Sequence, residues 1–495
     1  MLLFWPIIIP FFTAVLALLA WRSTEMQRGI VLIGSAALLG AAIMVVIEVA
    51  QNGPVAAQAG GWDAPFGITL VADWLSAIMV LLVGIVAVAV TFYGFTDVTD
   101  REEHHGHHPL TQAMFAGICG AFLTGDLFNM YVWFEVMLIS SFGLLVIGGD
   151  RAQIDGAIKY VGLNLIATVA FLSGVGLLYG ATGALNMADL HFAVAGREGE
   201  TAIMASAAFL VFAFGSKAAL FPAFFWLPAS YHTPSFTTSA VFAALLTKVG
   251  IYALIRVFTL VYDSDGTPIQ TVLLWGAVLT MVVGALGALS QSSIRRVLNY
   301  GIISSVGYII LGLAIHTPLA IAAALFYLFQ DVIVKVGLFL GAGAATRLTG
   351  SEEFSKSGGI WRQRPWFSVV FLIMALSLAG VPPFAGFWAK LMLTQATLQA
   401  GSWFLAFAVL AVGLLTLFAM ARVWSAMFWS AHPDGDHAIT ERLPASVILP
   451  IVALAAILVY VGIYAETFID ASIIAADGIL DPSAYIAAVM GEPAQ

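Results

Sequence analysis

The stretch LFYLFQDVIVKVGLFL (Leu325–Leu340) decides the fold. It is apolar throughout except for Gln330, Asp331 and Lys335, and it lies within an apolar run over 318–345. A run of that length is too long for a strand and long enough to cross a bilayer as a helix, which takes about 20 residues. In water it would be a hydrophobic helix with no polar face. In lipid it is a span carrying two ionisable groups, spaced i, i+4 on one face and able to touch.

The rest of the chain has the same character. Of 495 residues, 61% are apolar and 9% charged, whereas a soluble domain carries about 25% charged residues. Apolar runs recur near 2–20, 29–50, 69–95, 111–127, 129–148, 157–180, 203–221, 237–260, 270–290, 299–315, 318–345, 366–396, 403–428 and 446–468. They predict an all-α membrane protein of about fourteen transmembrane helices, since the runs are continuous rather than alternating as in a barrel strand. The first run lacks a basic leader and a small-residue cleavage site, and reads as a span rather than a signal peptide.

Basic residues set an orientation. Loops after odd-numbered spans hold Arg22, Arg28, Arg101, Arg151, Arg295, Arg296, a cluster from Arg347 to Arg364, and Arg442, while those after even-numbered spans hold only Arg197. The positive-inside rule then places both termini outside. A C-terminal tail with Asp470, Asp477, Asp481 and Glu492 and no basic residue fits that side.

Six ionisable residues lie near the middle of spans or beside breaks in them: Glu135 in MYVWFEVMLISSF, Lys217 in VFAFGSKAALFPAFFWLP, Lys248 in AALLTKVGIYALI, Asp331 and Lys335 above, and Lys390 in VPPFAGFWAKLML. Each costs about 2.5–3.5 kcal/mol at a helix centre, together on the order of 15 kcal/mol, comparable to the stability of a whole domain. They are therefore paired, hydrated or both. Ion pairs that merely join helices are one reading. Four lysines against two carboxylates cannot all be paired, however, and amines in excess suit a proton relay. Pro222 follows Lys217, and Pro382-Pro383 precedes Lys390, so a helix break is expected beside each of these lysines. Broken helices beside an ionisable group, one in each half, point to an inverted-repeat ion transporter.

Other chemistry is excluded or weak. A single cysteine, Cys119, allows no internal disulfide and no cysteine-ligated iron–sulfur or zinc centre. No phosphate-binding glycine loop or basic nucleic-acid patch is present, and no cofactor or metal is expected. The histidines His104, His105, His107 and His108 read as a solvated loop, with metal binding as the less favoured alternative. Asp73 and Asp126 read as helix caps or interface contacts.

SIRRVLNYGIISSVGYI (Ser293–Ile309), SLAGVPPFAGFWAK (Ser377–Lys390) and the Lys217 and Lys248 segments resemble the antiporter-like subunits shared by respiratory complex I, membrane-bound hydrogenases and Mrp-type Na⁺/H⁺ antiporters. The resemblance covers Leu110 to Trp424. WLPASYHTPSF followed by LLTKVGIYALIR is most similar to the Mrp branch, and Tyr327 and Asp331 stand where the complex I pattern usually has histidines. The resemblance implies fourteen helices with two inverted five-helix repeats, each with a broken helix. The corresponding division is an N-terminal segment over 1–109, repeats over 110–262 and 263–430, and a final helix and tail over 431–495. It also implies that Glu135 pairs with Lys217, that Lys248 is a central relay and Lys335 a further one, with Asp331 as a candidate partner, and that Lys390 is the terminal lysine. The implied setting is a prokaryotic cell membrane. The implied partners are other membrane subunits, with H⁺ and Na⁺ as transported ions; the alternative is a proton-pumping module of a redox enzyme.

Overall fold

The computed structural model describes residues 1–262, 265–435 and 442–491; Glu492 lies outside them. Among the described residues the regular structure is helical apart from one hairpin. Three helices open it: α1 (Leu2–Leu19), α2 (Thr24–Asn52) and α3 (Trp74–Asp97). Strands β1 (Val55–Gln58) and β2 (Thr69–Ala72) pair antiparallel between α2 and α3, with Val55 opposite Ala72 and Gln58 opposite Thr69. Next come α4 (His107–Leu123), α5 (Leu127–Val146), α6 (Arg151–Thr182), α7 (Thr201–Ala218) and α8 (Phe236–Leu260). They are followed by α9 (Pro268–Ser290), α10 (Ile294–Ile315), α11 (Pro318–Thr349), α12 (Pro365–Ala379), α13 (Ala385–Gln399) and α14 (Trp403–Trp429). The chain ends with α15 (Ala445–Ile463), α16 (Ala465–Leu480) and α17 (Ser483–Met490).

Twelve helices among the described residues are long and apolar enough to cross a bilayer, thirteen if the pair α16–α17, bent by 67°, is one span. That is fewer than the fourteen runs in the sequence, for two local reasons. The run over 111–127 becomes α4, which has only 17 residues. The run over 366–396 is interrupted, giving α12 and α13.

Short polar side chains fix many of the helix starts. Asp73 caps α3 by accepting from the Ser76 amide at 3.0 Å, and Asp126 caps α5 by accepting from the Asn129 amide at 2.7 Å. Both expected breaks are present. α7 stops at Ala218, and Ala219 takes a left-handed φ of +63°; α12 stops at Ala379, and Gly380 takes +86°. A cis X–Pro bond follows each stop, Phe221–Pro222 and Pro382–Pro383.

The most enclosed helices carry the charges. The apolar window of α8 is buried throughout, and that of α11 is 89% buried, against 39% for α1, α2 and α15. The outer helices thus keep apolar faces for lipid, and Lys248, Asp331 and Lys335 are shielded by protein on every side.

The segment read as a C-terminal tail is helical. α16 buries Ala465, Ser472, Ala475, Ala476 and Ile479 as it packs along α11, touching α3 and α8. Asp470 and Asp477 fall on its exposed face. The acidic residues thus lie opposite a stripe of small and apolar residues at helical spacing. α17 then turns back over β1 and β2.

Candidate functional site

Five of the six predicted residues form two groups on touching helices, and the sixth, Lys390, stands apart from both. In the first, Glu135 (α5), Thr168 (α6) and Lys217 (α7) make a chain. The Lys217 ammonium donates to Thr168 Oγ1 at 3.1 Å, and the Thr168 hydroxyl donates to Glu135 Oε1 at 2.9 Å. Glu135 and Lys217 form no direct ion pair; the expected pairing is mediated by a hydroxyl. Lys217 lies in the last turn of α7, is buried, and sits 5.3 Å from the centre of the Phe134 ring.

The second group is centred on Asp331. Its Oδ2 lies 2.8 Å from Lys248 Nζ and its Oδ1 3.7 Å from Lys335 Nζ, with all three side chains wholly buried. The i, i+4 partner expected from the sequence is therefore the more distant one, and the nearer lysine comes from α8. Residues 242–246 of α8 form a π-type turn. Lys248 reaches back across it and donates to the Ala243 carbonyl at 2.9 Å. The Asp331 carboxylate is thus held by Lys248, whereas Lys335 Nζ has no hydrogen-bond partner among the described residues.

Lys390 sits apart, on the second turn of α13. Its ammonium donates to the carbonyls of Leu378 (3.1 Å) and Ala379 (2.7 Å), the last of α12. A cation at the carbonyl end of a helix meets both unpaired acceptors and the negative end of the dipole. Between Asp331 and Lys390 stand two stacked tyrosines, Tyr308 and Tyr327, with ring centres 5.1 Å apart, and Lys390 Nζ lies 5.1 Å from the Tyr308 ring.

Gly250 connects the groups. A Cβ there would lie 2.7 Å from the Ala218 amide nitrogen, so α8 crosses the end of α7 in backbone contact. The end of the first group, Lys217, and the start of the second, Lys248, are each within two residues of that crossing.

Two buried polar sites fall outside the expected set. Arg256, two turns beyond Lys248 on α8, pairs with Asp73 Oδ2 at 2.7 Å and lies over the Tyr485 ring at 5.0 Å. The ring comes from α17, which thereby closes over α8. The histidine cluster divides: His104 and His105 are exposed, though at the end of a short helix over Asp100–His104 rather than in a loop, and His107 and His108 are buried. The helix start at Gly106, φ +96°, turns the latter two inward. His108 Nε2 and Arg28 Nε lie 3.0 and 2.9 Å from Glu103 Oε1. Burial pushes the Glu103 carboxyl up, but hydrogen bonds from His108 and Arg28 outweigh it and bring it down to about 2. Among the described residues no cluster of three or more His, Cys, Asp or Glu side chains is placed to hold a metal.

Residues 124–416 match the family model described as "NADH:quinone oxidoreductase/Mrp antiporter, TM". The chain belongs to the NADH:quinone oxidoreductase/Mrp antiporter membrane family. Within it, the chain is 42% identical over 487 residues to the D-type Na⁺/H⁺ antiporter subunit of Alkalihalophilus pseudofirmus, covering 98% of this chain and 99% of that one. Its fold is similar to a chain of the Mrp complex of a Dietzia species, with a TM-score of 0.91 and 30% identity over 99% of both chains. A chain of the membrane-bound sulfane sulfur reductase, an archaeal respiratory membrane complex, gives 0.90 and 28%, again over 99% of both. The matched family segment contains all six ionisable residues and Thr168. As a family member the chain is a multi-pass membrane protein, and curated relatives that it matches are named as antiporter subunits.

Proposed function

We propose that this chain is the D-type membrane component of a multisubunit Na⁺/H⁺ antiporter and that protons cross it along the axis from Glu135 to Lys390. The observation that carries the reading is the placement of Asp331 between Lys248 and Lys335 on the two most enclosed helices. One carboxylate serves two amines, so the group holds an uneven charge that a single proton changes. A purely structural ion pair does not need the second lysine.

In this mechanism a proton reaches the Glu135–Thr168–Lys217 chain and alters its charge. The field at Lys248 changes across the α7–α8 crossing, and Lys248 exchanges its contact with Asp331. Lys335 takes over that carboxylate, and the displaced charge is passed towards Lys390. Moving one charge through about 100 mV is worth about 2.3 kcal/mol, enough to shift such an equilibrium more than tenfold. Gln330 and Ser377, which lie against Gly386 one turn before Lys390, carry buried polar atoms without protein partners among the described residues, which supports water along the last step.

The same reading divides the chain into repeats over 110–262 and 263–430, sets the termini on the exterior of a prokaryotic cell membrane, and seats the chain among other membrane subunits. Sodium export is coupled to this proton movement elsewhere in the complex or along the same axis. A second reading, a proton-pumping module of a redox enzyme, is favoured by one observation, the close fold similarity to a respiratory membrane complex chain. Purification separates the two: co-purifying flavin or iron–sulfur subunits would replace the antiporter reading. The transport role is tested by Lys217→Ala in everted vesicles, followed by Na⁺-dependent pH change. Loss of exchange with normal assembly is expected; full exchange would defeat the role of that lysine.

A further inference from the structure

The link between Glu135 and Lys217 is made by a residue with no charge. Thr168 Oγ1 accepts from Lys217 Nζ at 3.1 Å and donates to Glu135 Oε1 at 2.9 Å. A hydroxyl has one proton to give and lone pairs to receive, so this arrangement uses both capacities in one direction. We propose that the Thr168 hydroxyl is the proton-passing element between Lys217 and Glu135, an assignment that rests on the proton-translocation reading above.

The local geometry sets Thr168 apart from its neighbours in sequence type. A threonine inside a helix ordinarily donates to the carbonyl one turn back. Thr111, Thr182, Thr259, Thr394 and Thr416 all do so here, at 2.7 to 2.9 Å. Thr168 instead spends its proton on a carboxylate of another helix while it accepts from a third. It is buried, as is Lys217, while Glu135 is half-buried. The three residues come from three helices, so their alignment is a tertiary feature rather than a local default.

The step balances without any added reactant. A Lys217 N–H bond breaks as a new Oγ1–H bond forms on Thr168. The original Oγ1–H bond breaks as an O–H bond forms on Glu135. One proton has moved from lysine to glutamate, the ammonium–carboxylate pair has become an amine and a carboxylic acid, and the hydroxyl is regenerated with its proton facing the other way. Rotation of Oγ1–H resets it. Run backwards, the same exchange loads Lys217 from Glu135. In either direction a methyl in place of the hydroxyl keeps the two charges apart and gives the proton no bridge.

The test uses the full complex in proteoliposomes with a trapped pH indicator and a sodium pulse. Thr168→Val has nearly the shape of threonine and removes the hydroxyl. It is expected to slow Na⁺-driven pH change by at least about tenfold, as loss of a positioned proton-transfer group does, and to alter its pH profile. Thr168→Ser is expected to restore both the rate and the profile. Should the valine variant fail to assemble, Thr168→Ala gives the same comparison. Exchange near the wild-type rate with an unchanged pH profile in an assembled valine or alanine variant would overturn the proposal. Lys217→Ala run in parallel separates the two levels. If it loses exchange while Thr168→Val keeps it, only the hydroxyl's role falls; if it too keeps exchange, the translocation reading of this half falls with it.

Discussion

Asp331→Asn perturbs the arrangement at its most loaded point. The side chain keeps its size and loses its charge, leaving Lys248 and Lys335 with no carboxylate between them. At the observed separations of 2.8 and 3.7 Å, an effective dielectric of about 20 gives gross attractions of about 6 and about 4.5 kcal/mol. Desolvation of the three groups cancels much of this. Removing one member of a buried pair typically costs about 3–5 kcal/mol, because the charge left behind is uncompensated. If only the lower figure falls on the transport barrier, the rate drops by about 150-fold. The assay is Na⁺-driven alkalinisation in proteoliposomes containing the purified complex, with subunit content checked on the same preparation. A loss of at least about 100-fold, with Asp331→Glu recovering part of it, is expected. Exchange within threefold of wild type in a fully assembled Asp331→Asn complex would refute the claim that this carboxylate holds the two lysines in their working state.

Three other expectations concern packing and pH. Gly250→Ala puts a Cβ 2.7 Å from the Ala218 amide nitrogen, and forcing α7 and α8 apart should cost about 1–3 kcal/mol, read as a lower melting temperature of the solubilised complex and slower exchange. Asp73→Asn leaves Arg256 buried without its carboxylate and should destabilise the same region by about 3–5 kcal/mol; faster protease cleavage near α17, whose Tyr485 covers that arginine, would report it. The Glu103 link to Arg28 and His108 favours the folded state while the carboxylate is charged. Its carboxyl lies at about 2 when folded, against an ordinary 4.5. That contribution is therefore complete above about 4.5 and is lost as pH falls towards about 2. Glu103→Gln should abolish this pH dependence, measured by thermal unfolding across the acid range.

What the sequence disclosed and what it withheld follow from how far apart the partners lie. Long apolar runs, six charges inside them and prolines beside two lysines are local features, and the helices, breaks and lysine positions were legible from them. Thr168 was not, because it is one threonine among many in apolar helices, and its partners are 33 and 49 residues away. For Asp331 the only partner visible in the sequence was Lys335, four residues on. The closer lysine arrives on α8 through the crossing at Gly250, which only the packed structure supplies. The Asp73–Arg256 contact spans 183 residues. Four histidines within five positions looked alike; the chain reversal at Gly106 exposes two and buries two. The acidic C-terminal segment conceals its helix for the opposite reason, since its charges sit on the outer face and its inner face is made of small and apolar residues.

The central claim is that protons pass through one connected axis rather than two independent halves. Lys248 pairs with Asp331 and lies two residues from the crossing of α8 with the end of α7 that carries Lys217, so its replacement by alanine is the most direct measurement. The assembled complex is reconstituted with a trapped pH indicator, and the response to a sodium pulse is recorded beside that of the wild type. A connected axis predicts loss of the sodium-driven pH change while subunit composition stays intact. A response at the wild-type rate would contradict it.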